Sequence, residues 1–394
     1  MKWEKVVLGD VCDSCLGKML DQKKNKGIFQ PYLANVDVRW GSFDLDHLSE
    51  MRFEDNEEER YGLHYGDLVI CEGGEPGRCA IWKEQIPNMK IQKALHRVRV
   101  HDDMDYRYLF YWFLLAGKTG ALEQYFTGAT IKHMPGQKLK SVVIEKPPIE
   151  IQHRIADILS AYDDLIENNQ KQIKLLEEAA QRLYKEWFVD LHFPGWENTT
   201  IIDGLPEGWH ENILGEIAYQ SGKNENKNSR SQYRYYLPID CLPQKSLTYL
   251  QSNDVELAES SLIGFTKQDI LFGAMRPYFH KVVVARDCGL TRSTCFVINS
   301  KKEYMWAYLV MLLFSENTIQ YATQISVGTT MPYVRWKDFI QMKILVPEKN
   351  ILISFQKFVL PIIDQLSKLA DKVILLQEAR DRLLPKLMSG ELEV

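Results

Sequence analysis

The amino-acid sequence repeats itself at a spacing of about 200 residues, and each repeat ends in a long heptad pattern. Trp3-Glu4-Lys5-Val6-Val7-Leu8-Gly9 in the first half is matched by Trp209-His210-Glu211-Asn212-Ile213-Leu214-Gly215 in the second. Gly128-Ala129-Thr130-Ile131 is matched by Gly328-Thr329-Thr330-Met331. Such a repeat is far longer than a solenoid unit of a few tens of residues. The sequence therefore predicts a duplicated module, a globular domain followed by a long helix, which makes two related contacts with one elongated partner.

Length and composition indicate an ordinary globular protein. The 394 residues suffice for two or three domains, and 45% hydrophobic with 26% charged residues is an average composition. No apolar run approaches the roughly 20 residues of a membrane span, and the N-terminus lacks the apolar stretch of a signal peptide. Seven cysteines without framework spacing fit a reducing compartment. We therefore expect a cytoplasmic protein that does not contact a membrane.

The net charge of −5 argues against a surface that is basic throughout, although local basic grooves remain compatible with it. Motifs that carry chemistry are missing: the sequence has no Gly-rich phosphate loop, no Asn-Pro-Pro-aromatic motif and no His-Glu-x-x-His. Cys12-x-x-Cys15 has no second pair to complete a tetrahedral metal site, so two free thiols are the favoured interpretation. We expect no metal site and no catalytic residue in this chain.

Two long helices are predicted from apolar residues at alternating steps of three and four, sustained over at least four heptads, as in a coiled-coil seam. The first seam contains Ile155, Leu159, Tyr162, Ile166, Asn169, Ile173, Leu176, Ala180, Leu183 and Trp187. The second contains Phe355, Val359, Ile362, Leu366, Leu369, Val373, Leu376, Arg380, Leu383 and Leu387. Pro361 weakens the start of the second helix, which is expected to run straight only from about this residue onward.

The economical packing partner of each seam is the other seam. If an internal twofold relates the two modules, the helices run antiparallel and the globular domains lie at opposite ends. Asn169 is polar within an apolar seam. It either fixes the register of the helices, as single buried polar residues do in coiled coils, or lies at a wet or frayed point of the seam.

The globular halves are predicted to be mixed α/β, because short runs rich in Val, Ile and aromatic residues are separated by turn residues. The predicted strands cover residues 67–71, 96–100, 141–145, 269–272, 281–285, 295–299 and 341–346. Each half also contains one aromatic-rich helical run, at residues 106–115 and 304–313. Breakers between residues 193 and 209 indicate a linker that divides the modules.

Candidate contacts for a phosphate or a base edge recur at matched places in both halves. The turn after the strand at residue 67 contains Gly74 and Arg78, and its counterpart contains Arg276, Tyr278 and His280. The Gly-x-Thr turns add Thr127, Thr130, Lys132 and His133, and then Thr329, Thr330, Tyr333 and Arg335. Basic stretches contribute Lys223, Lys227, Arg230 and Arg234 in the second half and Lys18, Lys23, Lys24 and Lys26 in the first. Any one of these could be an ordinary solvated side chain; their recurrence favours the set.

The whole chain resembles the specificity subunit of type I restriction-modification systems. Leu205-Pro206-Glu207-Gly208-Trp209 resembles the start of that family's second target-recognition domain, and Pro147-Pro148-Ile149-Glu150-Ile151-Gln152 resembles the start of its central helix. Arg182-Leu183-Tyr184-Lys185-Glu186-Trp187-Phe188 resembles the end of that helix, and Leu384-Pro385-Lys386-Leu387-Met388-Ser389-Gly390-Glu391 resembles its C-terminal tail. The second helix departs from the pattern, with Pro347-Glu348-Lys349-Asn350 where the first has Pro-Pro-Ile-Glu.

The resemblance implies an α+β fold with two mixed α/β target-recognition domains, at residues 1–147 and 209–347. Long helices at residues 148–190 and 348–394 would form an antiparallel coiled coil with an internal pseudo-twofold, and residues 191–208 would link the halves. It also implies a non-catalytic reader of a bipartite, asymmetric double-stranded DNA site. Two methyltransferase subunits would dock on the helices and restriction-translocase subunits would join them. S-adenosylmethionine, ATP and Mg²⁺ are expected on those partners and no cofactor on this chain.

The length of the first seam gives a separate estimate of the distance between half-sites. Its 33 residues span about 50 Å at 1.5 Å per residue, which corresponds to roughly 14–15 base pairs. Two other hypotheses remain: a solitary nuclease or methyltransferase fragment, which no motif supports, and a coiled-coil scaffold without DNA specificity. A silent copy of a specificity gene is a further alternative within the favoured hypothesis.

Overall fold

A computed structural model describes residues 3–21 and 25–394 of the chain. The chain divides into two compact units, each with its own set of internal contacts. Unit 1 consists of Met1–Asp164 and Gln377–Val394, and unit 2 consists of Leu165–Leu376. Each unit therefore contains one globular region together with a segment of each long helix.

Unit 1 begins with a globular region whose chain leads directly into the first long helix. Its elements, in chain order, are β1 (Glu4–Val7), α1 (Leu8–Val11), β2 (Cys12–Leu16), β3 (Ile28–Leu33), β4 (Val38–Arg39), β5 (Ser42–Phe43), β6 (Ser49–Phe53), α2 (Glu58–Tyr61), β7 (Leu68–Cys71), β8 (Cys79–Ile81), β9 (Lys90–Ile91), β10 (Leu95–Val100), α3 (Tyr106–Thr119), α4 (Gly136–Lys140), β11 (Val143–Lys146) and α5 (Ile149–Tyr184).

The core of unit 1 is an antiparallel four-stranded sheet in the order β2-β10-β7-β8, with α3 packed against it. The helix α3 begins where Asp105 accepts hydrogen bonds from two backbone N–H groups of its first turn, and it ends at Gly120, whose φ is +74°. A separate pair, β1 with β11, brings the N-terminus beside the start of α5. A second sheet, β6-β3-β9, is added at residues 28–91.

Unit 2 has the following elements: β12 (Ile201–Ile202), β13 (Leu205–Pro206), β14 (His210–Ile213), α6 (Leu214–Ile217), β15 (Ala218–Gln220), β16 (Lys223–Glu225), β17 (Tyr235–Tyr236), β18 (Leu262–Phe265), β19 (Ile270–Gly273), β20 (Val282–Val284), β21 (Gly289–Arg292), β22 (Cys295–Ser300), α7 (Trp306–Leu313), α8 (Glu316–Gln324), α9 (Trp336–Phe339), β23 (Lys343–Val346) and α10 (Lys349–Met388).

The central sheet of unit 2 has the order β15-β22-β19-β20, which is the order of the unit 1 sheet with each strand replaced by its sequence counterpart. The pair β14 with β23 likewise repeats β1 with β11. In both units a tyrosine of the helix packed on the sheet, Tyr108 or Tyr308, donates its hydroxyl to the backbone carbonyl of residue 145 or 345. The second sheets differ, because unit 2 has the four-stranded order β16-β18-β21-β17.

The strands and aromatic-rich helices predicted from the sequence are confirmed, with boundaries that shift by one to two residues at most ends. The fold mixes helices and sheets, as expected. The helical run at residues 106–115 extends to Thr119, and the run at residues 304–313 begins its α-helix at Trp306. No helix of the described chain is both long enough and apolar enough to cross a membrane.

Both long helices are present, with 36 residues in α5 and 40 in α10, and the chain continues from α5 through a π-helical turn at Lys185–Val189. The predicted seam residues are buried or half-buried, and Asn169 is buried. Within unit 1, α5 and α10 run antiparallel, because Arg380 contacts Asp163 while Arg154 contacts Val394. Within unit 2, Phe188 packs on Phe355 near the start of α10.

The expected interruption at Pro361 is wrong, because α10 begins at Lys349 and passes through this residue. Pro361 cannot donate to the carbonyl of Lys357, but both residues are exposed, so water can solvate that carbonyl. On the opposite side, Val359 and Ile363 are buried in the core of unit 2. Tertiary burial of the apolar face therefore outweighs the missing helical hydrogen bond.

The units differ from the predicted domain boundaries in one respect: they divide each long helix instead of treating it as a separate segment. The predicted linker at residues 191–208 contains the two short strands β12 and β13, which pair with each other. Phe193 within it is buried and stacks on Trp209 with ring centroids 4.9 Å apart. This stretch is therefore attached to the core of unit 2.

Candidate nucleic-acid interface

In unit 1 two turns lie side by side at one edge of the central sheet. The first, loop 72–78, follows β7, and the second, hairpin 127–133, follows α3. Thr127 and His133 exchange backbone hydrogen bonds of 2.7 and 2.8 Å, and Gly73 pairs with His133. Gly128 has φ +91°, and a Cβ there would lie 2.3 Å from the carbonyl oxygen of Ile131, so the tight turn requires glycine.

Loop 72–78 is held in place by the side chains of Asn35 and Trp40, which precede it in the chain. Arg78 donates to the backbone and side-chain oxygens of Asn35 at 3.0 and 2.9 Å, and to Glu75 at 3.0 Å. Trp40 donates its indole N–H to the other carboxylate oxygen of Glu75 at 2.7 Å, and the amide of Asn35 donates to the carbonyl of Gly73. Arg78 therefore serves to fix the loop, and its guanidinium is engaged within the protein.

Between the loop and the hairpin lies an open groove of about 550 Å³ lined by Gly74, Thr130 and Lys132 among others. Three predicted contact residues are thus brought together. The ammonium group of Lys132 lies 3.8 Å from the carboxylate of Glu123 and near the ring of Phe126. Ile131 at the hairpin tip is 65% exposed. The groove therefore combines an apolar tip with paired charges and a hydroxyl group.

Unit 2 repeats this arrangement with loop 274–281 after β19 and hairpin 327–333. Val327 and Tyr333 exchange backbone hydrogen bonds of 2.9 and 3.0 Å, and Met275 pairs with Tyr333. Gly328 has φ +102° and, like the matching Gly128, lies in the left-handed region. The tip residue Met331 is 58% exposed. The backbone geometry of the two hairpins is therefore the same, although their sequences differ at several positions.

Loop 274–281 differs from its counterpart in how its arginine is held. Arg276 adopts φ +50°, a strained conformation for a residue with a Cβ, and its backbone N–H donates to Pro332 at 2.7 Å. Its guanidinium makes one long hydrogen bond, of 3.4 Å, to the carbonyl of Thr330. Tyr278 is exposed beside it. Arg276, Thr330 and Tyr278 thus form a surface cluster whose cation is only weakly engaged.

His280 is not part of that cluster, which corrects the prediction made for it. Its side chain is buried, its Nε2 lies 2.9 Å from the carbonyl of Phe314, and its Nδ1 lies 3.4 Å from the carboxylate of Glu316. Burial lowers the pKa of His280, against the opposing effect of Glu316. The imidazole therefore ties the loop to α8 and cannot contact a ligand at the surface.

The sequence and the fold are both similar to those of known proteins. Residues 1–178 match the family model described as the type I restriction modification DNA specificity domain. The match places a domain similar to that family in the first 178 residues, and curated relatives of the chain carry the same family description. The chain is 28% identical over 350 residues to the type I restriction enzyme MjaIX specificity subunit of Methanocaldococcus jannaschii, covering 84% of this chain and 78% of that protein. It is 24% identical to the MjaVIII specificity subunit of the same organism, and this match covers 100% of this chain and 93% of that protein.

Among solved structures, the S subunit of a type I restriction-modification system from M. genitalium superposes with a TM-score of 0.61. The sequences are 17% identical, and the match covers 98% of this chain and 96% of that one. At this identity the likeness shows a common fold. The specificity-subunit fold therefore accounts for essentially the whole chain.

The remaining predicted contacts lie on other parts of the surface. In unit 2, Lys223 lies on β16 and Lys227 in the 3-10 turn that follows, both exposed and on the second sheet. Arg230 is held by the carbonyl of Ala258 and by Glu256, and Arg335 is paired with Asp338 at 2.5 Å. Arg234 pairs with Asp287 at 3.3 Å.

In unit 1 the basic stretch is only partly available. Lys18 is buried, and its ammonium group contacts the carboxylate of Glu57 at 2.5 Å and donates to the carbonyl of Arg52. This corrects the expectation that it is a surface cation. Lys26 is exposed, and Lys23 and Lys24 lie outside the described residues.

Cys12 and Cys15 are both free cysteines, with no disulfide between them. Their sulfurs donate to two different carbonyls, those of Leu8 and Arg60. Burial raises the pKa of Cys12 to about 12 and also raises that of Cys15, which keeps both thiols protonated. Among the residues that the structure describes, no cluster of three or more His, Cys, Asp or Glu side chains could hold a metal ion.

Asn35 and Trp40 were missed by the sequence reasoning, although they hold the candidate loop in unit 1. They lie about 40 residues before the loop, on a segment without regular periodicity. No local pattern in the sequence connects them with residues 72–78. Only the folded chain brings these polar groups together.

Proposed function

We propose that this chain is a non-catalytic reader of a bipartite, asymmetric site in double-stranded DNA, within a type I restriction-modification complex. Each unit would read one half of the site. The adenine methylation and the ATP-driven translocation would be carried out by partner subunits in the cytoplasm, which would bind S-adenosylmethionine, ATP and Mg²⁺. The match of residues 1–178 to the DNA specificity domain model and the similarity to specificity subunits support the role in DNA specificity.

One observation carries this proposal: the same sheet, helix and pair of turns occur in both units, whereas the second sheets differ. A partner with two related but unequal halves requires such an arrangement. Sequence is read by side chains that reach base edges, and contacts to phosphates position the protein. The candidates for these contacts are the exposed Tyr278 and the half-buried Arg276 in unit 2 and the exposed Thr130 and Lys132 in unit 1.

We infer that the spacing between the half-sites is set by the long helices as an antiparallel coiled coil with an internal pseudo-twofold. The local antiparallel contacts between α5 and α10 in each unit support this inference. The 36 residues of α5 would extend about 54 Å at 1.5 Å per residue. At about 3.4 Å per base pair this length corresponds to roughly 16 base pairs.

We also propose that the solvent side of the helices docks two methyltransferase subunits. Leu175 and Leu375 occupy matched positions and are 64% and 63% exposed. Ile158 and Phe358 form a second matched pair of exposed apolar residues. Two copies of one partner would need the same surface twice, and apolar side chains are the usual core of such an interface.

The proposal is tested by co-expressing the chain with the methyltransferase subunit encoded beside its gene and mapping adenine methylation across the host genome. We expect one bipartite motif with a fixed gap. Arg276→Ala in unit 2 should weaken or relax one half of the motif, and Lys132→Ala in unit 1 should act on the other half. Lys267→Ala, at an exposed position of unit 2 outside both turns, serves as the matched control and should leave the motif unchanged.

Two outcomes would contradict the proposal. A stable complex that methylates no new sequence would indicate a silent copy or a scaffold. Methylation of a single undivided motif would contradict a separate reading role for each unit. A change in the length of the gap without a change in either half would indicate that the altered residues position the units and do not read DNA.

A further inference from the structure

A polar trio joins the two long helices to the globular region of unit 1. The hydroxyl of Tyr111 on α3 donates to Asp163 on α5 at 2.6 Å. Arg380 on α10 donates to the other carboxylate oxygen of Asp163 at 2.5 Å. The side chains of Asp163 and Arg380 are only 27% and 17% exposed. Three elements that are distant in sequence thus meet at one largely buried ionic contact.

Each member of the trio has a counterpart 200 positions away in the repeat. The offset is supported by Tyr108 and Tyr308, which make the same hydrogen bond to residues 145 and 345. Applied to the trio, it relates Tyr111 to Met311, Asp163 to Ile363 and Arg380 to Ala180. All three counterparts are apolar, and all are buried in the hydrophobic core of unit 2. The same junction is therefore ionic in unit 1 and apolar in unit 2.

We propose that this mismatch is a pairing code, which makes α5 select an α10 helix and reject α5 of a second copy. The inference concerns self-recognition and does not depend on the DNA-reading role. Its basis is the polarity of matched positions in the repeat and the register of the helix contacts within each unit.

The physical reason follows from the register. In the observed register, Asp163 of α5 lies opposite Arg380 of α10. In an antiparallel α5–α5 pair with the same register, Asp163 would lie opposite Ala180 of the second copy. Asp163 would then lose its cation. In the corresponding α10–α10 pair, Arg380 would face Ile363 and lose its anion. A charge removed from water without its partner is strongly unfavourable, so both homotypic pairs are disfavoured while the heterotypic pair is satisfied.

The charge states fit this account. Burial works against the positive charge of Arg380, but the carboxylates of Asp163 and Asp381 outweigh it and raise the pKa of the guanidinium. Asp381 in turn contacts Lys118 of α3 at 2.6 Å. In unit 1 the end of α10 therefore contacts polar side chains of α3 and α5. The apolar side chains at the matching positions of unit 2 could not make these contacts.

The test uses the full chain with no partner subunit. Isotopically labelled and unlabelled copies are mixed, unfolded, refolded and treated with a lysine cross-linker. The heterotypic register brings Lys171 near Lys372, whereas an α5–α5 pair would bring Lys171 near Lys171 of the other copy. For the natural chain we expect links between Lys171 and Lys372, and few links that join labelled to unlabelled α5.

The variant Tyr111→Met/Asp163→Ile/Arg380→Ala gives unit 1 the apolar junction of unit 2. It should fold and raise the yield of mixed α5–α5 links at least tenfold. A yield equal to that of the natural chain would overturn the proposal and leave the trio as an ordinary structural contact. Glu167→Ala, which removes an exposed ion pair with Lys171 on α5, is the control and should change nothing.

Charge reversal provides a second test if the triple variant does not fold. Asp163→Arg places two cations at the junction and should raise the yield of mixed links. Adding Arg380→Asp restores an ion pair and should return the yield to that of the natural chain. Failure of the second substitution to rescue the first would also overturn the proposal.

Discussion

The globular regions of the two units share one half of their structure and differ in the other. The sheets β2-β10-β7-β8 and β15-β22-β19-β20 have the same strand order, and each carries a helix and a hairpin with a left-handed glycine. The added sheets, β6-β3-β9 and β16-β18-β21-β17, differ in strand number and order. The shared half meets a requirement common to both units, and the variable half can serve a partner that is not symmetric.

The matched loops show the same contrast at the level of single residues. Arg78 is locked by three hydrogen bonds to Asn35 and Glu75, whereas Arg276 makes one long hydrogen bond and carries backbone strain. Two arginines in equivalent turns are therefore used differently. One stabilises a loop, and the other remains available at the surface.

The largest expected effect distinguishes these two arginines. Arg78→Ala removes several hydrogen bonds to a carboxylate and to buried oxygens and should lower the local opening free energy of loop 72–78 by about 2–3 kcal/mol. Arg276→Ala should lower that of loop 274–281 by less than about 1 kcal/mol. Hydrogen–deuterium exchange of the two loops in the full chain measures both values. Equal losses of opening free energy in the two loops would show that the two arginines stabilise their loops to the same extent.

A pH dependence is expected in unit 2, where Glu177 of α5 caps residues 246 and 247. Its carboxylate accepts hydrogen bonds of 2.7 Å from the hydroxyl of Ser246 and from the N–H of Leu247. Burial raises the pKa of Glu177 from 4.5 to about 7, although these hydrogen bonds oppose the shift. Ionisation therefore costs more in the folded state, so stability is lost as the pH rises from about 4.5 through 7.

Glu177→Gln removes this titration while keeping an oxygen acceptor. The natural chain should lose roughly 2 kcal/mol relative to the variant between pH 5 and pH 8. Urea unfolding of unit 2 at several pH values measures the difference. In unit 1 the position matched to Glu177 is Gln377, so unit 1 should not show this dependence. A constant difference between variant and natural chain at all pH values would contradict the expectation.

The basic stretch on the second sheet of unit 2 should contribute to DNA affinity without contributing to sequence preference. Lys223→Ala/Lys227→Ala should weaken binding by about tenfold and reduce the slope of log affinity against log salt by roughly 2, if each lysine contacts one phosphate. Titration of the methyltransferase complex at several salt concentrations measures the slope. Lys301→Ala/Lys302→Ala, at exposed positions after β22, is the matched control, and an equal effect from it would contradict the assignment.

The smallest expected effect tests the equivalence of the shared halves. Tyr108→Phe and Tyr308→Phe each remove one hydrogen bond between the helix packed on the sheet and the strand before the long helix. Each should destabilise its unit by about 1 kcal/mol. Denaturant unfolding followed separately in the two units gives both values. A difference of more than about twofold would show that the shared halves are not energetically equivalent.

Local patterns in the sequence predicted much of the fold. The strand β7 is a short run of buried apolar residues, and the long helices carry heptad patterns that no strand could accommodate. The candidate site was predicted less completely. His280 and Lys18 have the chemistry of surface contacts but are buried, because exposure depends on neighbours that are distant in sequence.

The sequence by itself determined that this chain is a duplicated module with two long helices, because a repeat and a heptad period are properties of residue order. Tertiary structure alone decided which arginine is weakly held and which is locked, since Asn35 and Trp40 approach loop 72–78 only after folding. It also decided that Pro361 lies within a helix, because burial of the neighbouring apolar face outweighs one lost hydrogen bond. Periodicity is encoded locally, whereas burial and pairing are collective properties of the folded chain.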